Sequence, residues 1–563
     1  MTQGVSNQKP LRSCVSEGEQ KQTSRGDEFD RMTTFFILLA LAVYGIHTGW
    51  KLKKQLHTLQ LNSYRTERYF RWLKQNARNT FAPLDAIPAV GLLPIVFGEI
   101  GIAALLWIAA YAALFFFRSQ QKEKKPLVWT QRAIRLFAMM LILLVGLAIL
   151  GVSALFASNS RVVAFMLFAG LLLLNLFPFV LALAANIVMS PIESAVNRWF
   201  YRDARRRIRE MPRLRVIGIT GSFGKTSTKT ILQRILAENF HVVMTPESYN
   251  TPMGVTKVIR STLTPVHEMF VVEMGARQPG DIRELCELVA PNIGILTAIG
   301  EQHLETFHDI ETIIRTKHEL IEALPPDGLA FLNMDNEHVR SVANLTSVKK
   351  IFYGIDSDDL HYSARNLSVS AAGSTFEFQT PDGRQKTFQT RLLGKHNIYN
   401  IVAAAAVACE LGMDLALIAA VVKNLDPVTH RLELKKTAQG ITIIDDAYNS
   451  NPVGAHSALD VLASMDGGQR ILITPGMVEL GAKEYQLNYA FGQHAAECCD
   501  YVILVGQRQT IPIQEGLKAA NYPAERCYVA ANLTDANRHL WTFVKPGDIV
   551  MYENDLPDTY NEQ

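Results

Sequence analysis

Hydrophobic and polar positions divide the chain into two parts with different periods. Apolar stretches long enough for a bilayer occur at about 34–50, 88–117, 135–157 and 162–189. One such stretch could be a buried core helix; several in succession predict an α-helical transmembrane region over 34–190. Residues 1–33 before it are polar and mixed in charge, without an early apolar core or a small-residue cleavage site. They are expected to form a disordered tail rather than a removed signal peptide. From 213 onward, short β-branched runs alternate with helical patterns: strand 214–220, helix 225–238, strand 268–274, helix 279–289, strand 292–297, helix 310–324. This alternation predicts a mostly parallel sheet covered by helices. Turn signals at Gly354, Gly373 and Pro381-Asp382-Gly383 predict small antiparallel strands between about 350 and 393, followed by an alanine-rich helix at 397–411. A second βα series begins beyond Pro427, with strands near 441–445, 470–474, 501–505 and 548–552. The expected fold is therefore multi-domain: the transmembrane region, a linker at 191–212, an α/β domain at 213–426 and a Rossmann-like α/β domain at 427–563.

Charge placement refines the membrane part. The linker carries Arg198, Arg202, Arg205, Arg206, Arg207 and Arg209, which belong on the cytosolic face by the positive-inside rule. Four crossings also put Arg118, Lys122, Lys124 and Lys125 inside. They put 51–87 outside, despite Lys51, Lys53, Lys54, Arg65, Arg68 and Arg71. Either 88–117, broken around Pro94 and Gly98, does not cross once, or this basic loop, with Tyr64, Tyr69, Phe70 and Trp72, is an interfacial helix near anionic headgroups. Glu99 and Asn175 inside apolar stretches mark a site, or Glu99 an interface or re-entrant turn.

A hydrophobic content of 48% fits a membrane portion, and a net charge of +3 gives no footprint for nucleic acid. The six cysteines (Cys14, Cys286, Cys409, Cys498, Cys499, Cys527) show no Cys-x-x-Cys pair. They are expected to be reduced cytosolic thiols, without a disulfide framework or a zinc site.

The candidate chemistry starts where the run Val216 to Ile219 meets Thr220-Gly221-Ser222-Phe223-Gly224-Lys225-Thr226-Ser227. A glycine-rich turn between a strand and a helix lets backbone N–H groups approach phosphates, Lys225 adds positive charge, and the Thr226 hydroxyl suits Mg²⁺. The loop is the shorter Gly-x-x-Gly-Lys-Thr, because Ile219 stands where a Walker A loop has its first glycine. Other polar residues sit where strands end, the usual place for a site in an open α/β sheet. Glu273 follows Phe270-Val271-Val272 and is placed to hold Mg²⁺. His303 follows the strand Ile293 to Ala298 and is a second candidate metal ligand, and Lys317 lies on the next helix.

These residues carry a resemblance. The loop Thr220 to Thr226 resembles the nucleotide loop of the Mur ligases, the ATP-dependent amide-forming enzymes of peptidoglycan synthesis. The later motifs are similar to the branch that adds D-alanyl-D-alanine: Val272-Glu273-Met274-Gly275-Ala276, Ala298 to Glu305, Thr316-Lys317-His318-Glu319 and Leu332-Asn333-Met334-Asp335. Gly394-Lys395-His396-Asn397-Ile398-Tyr399-Asn400, Arg431, Asp445 to Pro452 and Gly476 to Gly481 follow in family order over about 210–485.

The resemblance implies that ATP phosphorylates a substrate carboxylate and an amine attacks the acyl phosphate, so Mg²⁺ and fixed positive groups must surround the reacting centre. It assigns Lys225 and Thr226 to the phosphates and one Mg²⁺, and Glu273 and His303 to metal. It makes Lys317 a candidate for a carbamate and Asn397 and Asn400 adenine contacts, with Asp335 near the nucleotide. It also brings Arg431 and Asp446 in from a C-terminal domain that closes on the site.

The sequence departs from that family where membrane segments replace the soluble domain that grips a uridine nucleotide. It also departs at Pro475 and at its end, Tyr552 to Tyr560, which lacks the usual Lys-Gly-Ser. The expected protein is a multi-pass membrane ligase with cytoplasmic catalytic domains, acting on a small-molecule or lipid-linked cell-wall precursor with an amino acid or dipeptide as amine. Its alternatives are a ligase for an anionic polymer such as poly-γ-glutamate, and a P-loop ATPase that energises transport. No nucleic-acid partner is expected.

Overall fold

The computed structural model describes residues 15–75, 83–116, 126–158, 160–247, 249–370, 373–448 and 450–556. The chain forms two compact units, 1–196 and 197–563.

The first unit is helical, and among the described residues three helices are long and apolar enough to cross a membrane: Arg31–Leu61, Gln131–Ser158 and Pro178–Arg209. The stretch 88–117 is not one span. It breaks into a 3₁₀ segment Pro83–Leu92, a turn of helix Leu93–Val96 and a helix Ile100–Phe116. Pro88 and Pro94 lack amide donors, and Gly98 takes φ 89°, so the helical ladder cannot run through. The stretch 162–189 also divides, into Arg161–Leu176 and a helix that starts at Pro178, where the missing N–H is tolerated at a first turn. Helix begins at Val15 and continues to Leu61, through the later part of the stretch read from the sequence as a tail. Residues 1–14 lie outside the described residues, as do Arg118, Lys122, Lys124 and Lys125. Lys51, Lys53 and Lys54 are therefore helical and not in a loop, and the basic linker is the continuation of the helix Pro178–Arg209.

This helical unit packs around aromatic rings, with the ring centres of Trp107 and Phe168 4.6 Å apart and those of Tyr44 and Tyr111 5.5 Å apart. Glu99 is exposed, and its backbone carbonyl accepts the Ala103 N–H at the start of the helix Ile100–Phe116. Asn175 is buried, with its Oδ1 3.2 Å from His47 Nδ1. Beside it Lys51 Nζ donates to Asp85 Oδ2 at 2.6 Å and to the Asn175 carbonyl at 2.5 Å. A charge in such surroundings is tolerated because a carboxylate and a backbone carbonyl both accept from it.

The second unit holds two sheets. The first is built from β1 (Arg215–Thr220), β2 (Val242–Met244), β3 (Met269–Glu273), β4 (Ile293–Leu296), β5 (Leu329–Asn333), β6 (Lys349–Gly354), β7 (Tyr362–Ser370), β8 (Gly373–Gln379) and β9 (Gln385–Thr390). Their order is β2-β3-β1-β4-β5-β6-β7-β8-β9. Pairing is parallel from β2 to β7 and antiparallel across β7, β8 and β9, so the expected antiparallel strands extend the main sheet through β6. The period of two shows in β1: Ile217 and Ile219 pack with helices Lys225–Leu236 and Lys395–Glu410, while Val216 packs with helices on the other face. Both faces are covered, which is why the parallel strands read as continuous apolar runs.

The second sheet comprises β10 (Glu433–Lys436), β11 (Thr442–Asp446), β12 (Arg470–Thr474), β13 (Tyr501–Val505), β14 (Cys527–Ala530) and β15 (Ile549–Glu553), in the order β10-β11-β15-β12-β13-β14. Only β10 runs antiparallel.

The buried Lys51–Asp85 pair gives a direct test. Lys51→Met leaves the Asp85 carboxylate uncompensated and is expected to destabilise the helical unit by about 3 kcal/mol. Adding Asp85→Asn should restore most of that loss in thermal unfolding of detergent-purified protein; equal stability of Lys51→Met and the parent would refute the pairing.

Candidate active site

The site forms where β1, β3 and β4 end side by side. The turn after β1 needs its glycines. Gly221 has φ 152°, and a Cβ there would fall 2.1 Å from Thr297 Oγ1 and 2.9 Å from the Ala298 carbonyl. Gly224 has φ 78°, and a Cβ there would fall 2.5 Å from Asn400 Oδ1. The turn is tied to the loop after β4: Ser222 N–H donates to Ala298 O, and Ser222 Oγ donates to Gly300 O at 2.9 Å. Phe223 lies over Gly300, and Thr220 Oγ1 donates to Met274 O at 2.9 Å. Ser227 is buried on the helix that follows.

No side chain caps that helix, Lys225–Leu236, whereas Thr251, Asp309 and Asn451 cap others in the same unit. Its first N–H groups and its positive dipole end therefore face the turn without a protein acceptor from a capping side chain, an arrangement suited to an anion. Lys225 folds back over the turn, with Nζ donating to Gly221 O at 2.7 Å and Ser222 O at 3.1 Å. Burial pulls its pKa down to about 8; Glu273 opposes that shift and Arg431 adds to it.

Glu273 is buried at the end of β3. Its Oε2 accepts Thr226 Oγ1 and Lys229 Nζ, each at 3.0 Å, and its Oε1 accepts Asn250 Nδ2 at 3.1 Å. Burial pushes its pKa up, but Lys229, Lys225 and these hydrogen bonds win, and the carboxyl is held below its ordinary value. An ionised carboxylate sharing a hydroxyl with the turn is a donor set that fits Mg²⁺. Lys229 and Asn250 have no role in the sequence reading. Lys229, four residues after Lys225, lies one helical turn on, a spacing that could have flagged it.

Lys317 is 4% exposed, so it is not a solvated surface lysine. Burial pulls its pKa down to about 7, Lys225 adds to the shift, and Asp281, Glu319 and Glu273 oppose it. His303 sits at φ 56° with Nδ1 2.6 Å from Glu479 Oε2. Burial lowers its pKa, Glu479 opposes, and Arg277 and Lys225 add to the lowering. Glu479, also at positive φ (64°), is a partner the sequence motif contained without a stated role. A second contact, Lys483 to Glu301, joins the same two loops.

The expected nucleotide residues fall into two groups. Asn400 Oδ1 accepts Thr228 Oγ1 at 3.0 Å, and Asn397 Nδ2 donates to Leu393 O at 2.9 Å, so both asparagines are buried beside the turn. Asp335 instead accepts the backbone N–H groups of Ile355, Asp356 and Ser357 and the Ser357 hydroxyl. Its carboxylate thereby shapes the loop after β6. Arg431 stands 4.6 Å from the Tyr448 ring centre, between His430 and Leu432, both at positive φ. Strain on both sides of one arginine is typical of a functional position. Asp446 accepts the Leu432 N–H at 3.1 Å, and burial pushes its pKa up to about 6 against the pull of Arg431. Its partner in the ladder between β11 and β15 is Glu553, which is buried and pushed up to about 7 by burial despite hydrogen bonds from Ser450 and Thr474. Asn449 in this motif lies outside the described residues.

Two tests follow from this geometry. Lys229→Met is expected to destabilise the second unit by about 3–5 kcal/mol, because it strands a buried carboxylate, and Glu273→Gln in the same background should recover most of the loss in denaturant unfolding. Glu553 predicts a pH dependence. An acid whose folded pKa is raised contributes stability that is present below its ordinary value of 4.5 and lost as pH rises through about 7. Glu553→Gln should therefore flatten the decline in unfolding midpoint between pH 5 and 8, by a contribution on the order of 3 kcal/mol; parallel profiles for both proteins would count against the buried acid.

The family model for the Mur ligase middle domain matches residues 219–408, and that for the Mur ligase, glutamate ligase domain matches 430–552. The UDP-N-acetylmuramoyl-tripeptide–D-alanyl-D-alanine ligase of Escherichia coli (strain K12) is 32% identical over 303 residues, 54% of this chain and 66% of the relative. The chain thus spans just under two thirds of that relative. The enzyme of the same name from Mycobacterium bovis (strain ATCC BAA-935 / AF2122/97) is 31% identical over 360 residues, 60% of this chain and 70% of the relative. Among solved structures, MurF from Acinetobacter baumannii superposes with a TM-score of 0.58 at 25% identity, covering 65% of this chain and 78% of that one. MurF from Thermotoga maritima in complex with ADP superposes with a TM-score of 0.57 at 24% identity, covering 65% and 81%.

Proposed function

The chain belongs to the Mur ligase family, and from that membership we propose that it is an ATP-dependent ligase that joins a D-alanyl-D-alanine-type amine to the carboxylate of a muramoyl-peptide precursor. The observation that carries this reading is the convergence of the half-buried Lys225 with the buried Glu273 and Lys317, three ionisable groups that act on one another at an uncapped helix N-terminus.

In this reading the turn from Thr220 to Ser227 cradles the phosphates of ATP, with Lys225 turning from the loop carbonyls to the γ-phosphate. Thr226 and Glu273 hold Mg²⁺, with His303 the further ligand through its free Nε2. The metal, when bound, neutralises charge on the transferring phosphoryl group. Lys317, with a pKa near 7, carries a substantial neutral fraction at physiological pH. A neutral amine attacks CO₂ and loses a proton, which turns Lys317 into a carbamate anion beside the metal position. Asn397 and Asn400 flank the adenine, Asp335 holds the neighbouring loop, and Arg431 and Asp446 close on the nucleotide from the second sheet. In this reading the enzyme sits in the cell membrane with its catalytic part cytoplasmic, which is supported by three described helices long and apolar enough to cross a bilayer. Its apolar helices, which precede the matched family domains, favour a second form of the acceptor, one linked to a lipid.

The test is ADP release and product mass with detergent-purified full chain, ATP, D-alanyl-D-alanine, and either the soluble uridine-nucleotide precursor or its lipid-linked counterpart. Product from either acceptor, with ADP release that needs both substrates, is expected; ATP hydrolysis indifferent to the amine would overturn the ligase reading. Lys225→Ala should lower turnover by orders of magnitude with folding intact. Lys317→Ala should be inactive and partly rescued by small carboxylates, and full activity of that variant would remove the carbamate.

A further inference from the structure

Away from the nucleotide turn, the helices Pro452–Ala463 and Glu484–Cys498 bring together His456, Asp460, His494 and Cys498. The four side chains form two pairs spaced by four residues, one pair on each helix, so each pair lies on one face. His494 Nε2 is 2.8 Å from Asp460 Oδ1 and 3.7 Å from Cys498 Sγ, and the ligand atoms of these three residues all lie within 4.8 Å of one another. Bonds of about 2.0–2.3 Å to a tetrahedral zinc put neighbouring ligand atoms roughly 3.3–3.8 Å apart, so small side-chain shifts suffice to accommodate a cation. A nitrogen, a carboxylate oxygen and a sulfur together suit a borderline-soft transition metal, not Mg²⁺ or Ca²⁺. His456 packs on His494 with ring centres 4.8 Å apart and planes 30° from each other, which fixes the ring plane of the ligand. Cys498 is buried, and an open cavity of about 420 Å³ lined by Pro452, Val453, His456, Ser457 and Asp460 lies on the Asp460 side of the group.

We propose that Asp460, His494 and Cys498 bind a zinc-class divalent cation, with water in the fourth position, and so clamp the two helices together. On binding, the thiol proton of Cys498 passes to solvent and the sulfur bonds the metal. A comparable group, His430, Glu433 and Asp445, is different in kind: Lys435 Nζ lies 2.6 Å from Asp445 and 3.0 Å from Glu433, so an ammonium already occupies the centre of charge. Among the described residues no ammonium pairs with Asp460, whose ionic partner is His494. The clamp also bears on the neighbouring domain, since Ser457, beside His456, is 3.2 Å from His396 at the start of the helix Lys395–Glu410.

The site is tested by titrating Co²⁺ into the full chain in detergent, without nucleotide and with Mg²⁺ in excess. One Co²⁺ per chain is expected, with a near-ultraviolet thiolate-to-cobalt band that Cys498→Ser abolishes. Asp460→Asn keeps a hydrogen-bonding partner for His494 and, being an exposed position, leaves the fold intact. It should weaken Co²⁺ binding at least tenfold while the metal-free thermal midpoint stays put. Absence of the band, its survival in Cys498→Ser, or unchanged affinity in Asp460→Asn would overturn the proposal and leave a hydrogen-bonded histidine and aspartate.

Discussion

The buried ion pair between Lys229 and Glu273 is the constraint on which the rest of the site depends. Taking a carboxylate to the end of a covered parallel strand is unfavourable unless its charge is answered within the protein. Lys229 answers it from the helix after β1, and Thr226 and Asn250 fill the remaining acceptor positions. The same three contacts fasten that helix and the loop before residue 252 to β3. The helix start is thereby fixed against the strand, and the turn from Thr220 to Ser227 has one available path.

That arrangement places Lys225 and Lys317 around a carboxylate already paired with Lys229. The local charge is positive, and burial pulls both of the other lysines down, Lys225 to about 8 and Lys317 to about 7. A polyanion offsets this charge, and a lysine poised between its protonation states is open to modification at its amine. In the proposed function, the positive environment for the nucleotide and the depressed lysine that CO₂ modifies thus have one origin.

The loops that meet from the two sheets of the second unit carry backbone strain at the residues that touch. His303 and Glu479 both adopt positive φ and bond each other, and Arg431 is flanked by two more such residues. Packing holds these conformations against their intrinsic cost of about 1–3 kcal/mol each. In the first unit, tertiary contacts likewise place a lysine, a histidine and an asparagine among apolar helices, where Asp85 balances the lysine.

Local pattern was enough to read most of the strands and helices from 214 to 324, though not the short β2 or the helix Pro252–Ser261, because a period of two or of 3.6 and a glycine turn are properties of neighbouring residues. The turn from Thr220 to Ser227 and the strand-end positions of Glu273 and His303 were legible for the same reason. The membrane helices were legible as apolar stretches but not as elements, since prolines 88, 94 and 178 divided them and only packing shows where a broken helix resumes. Lys229, Glu479 and Glu553 acquire meaning from partners 44, 176 and 103 residues away, which no window of sequence contains. Cys498 is the sharpest case. His494 precedes it by one turn of the same helix, but only the packing of two helices brings Asp460 to that pair, because distances between helices are a matter of space that chain order does not determine.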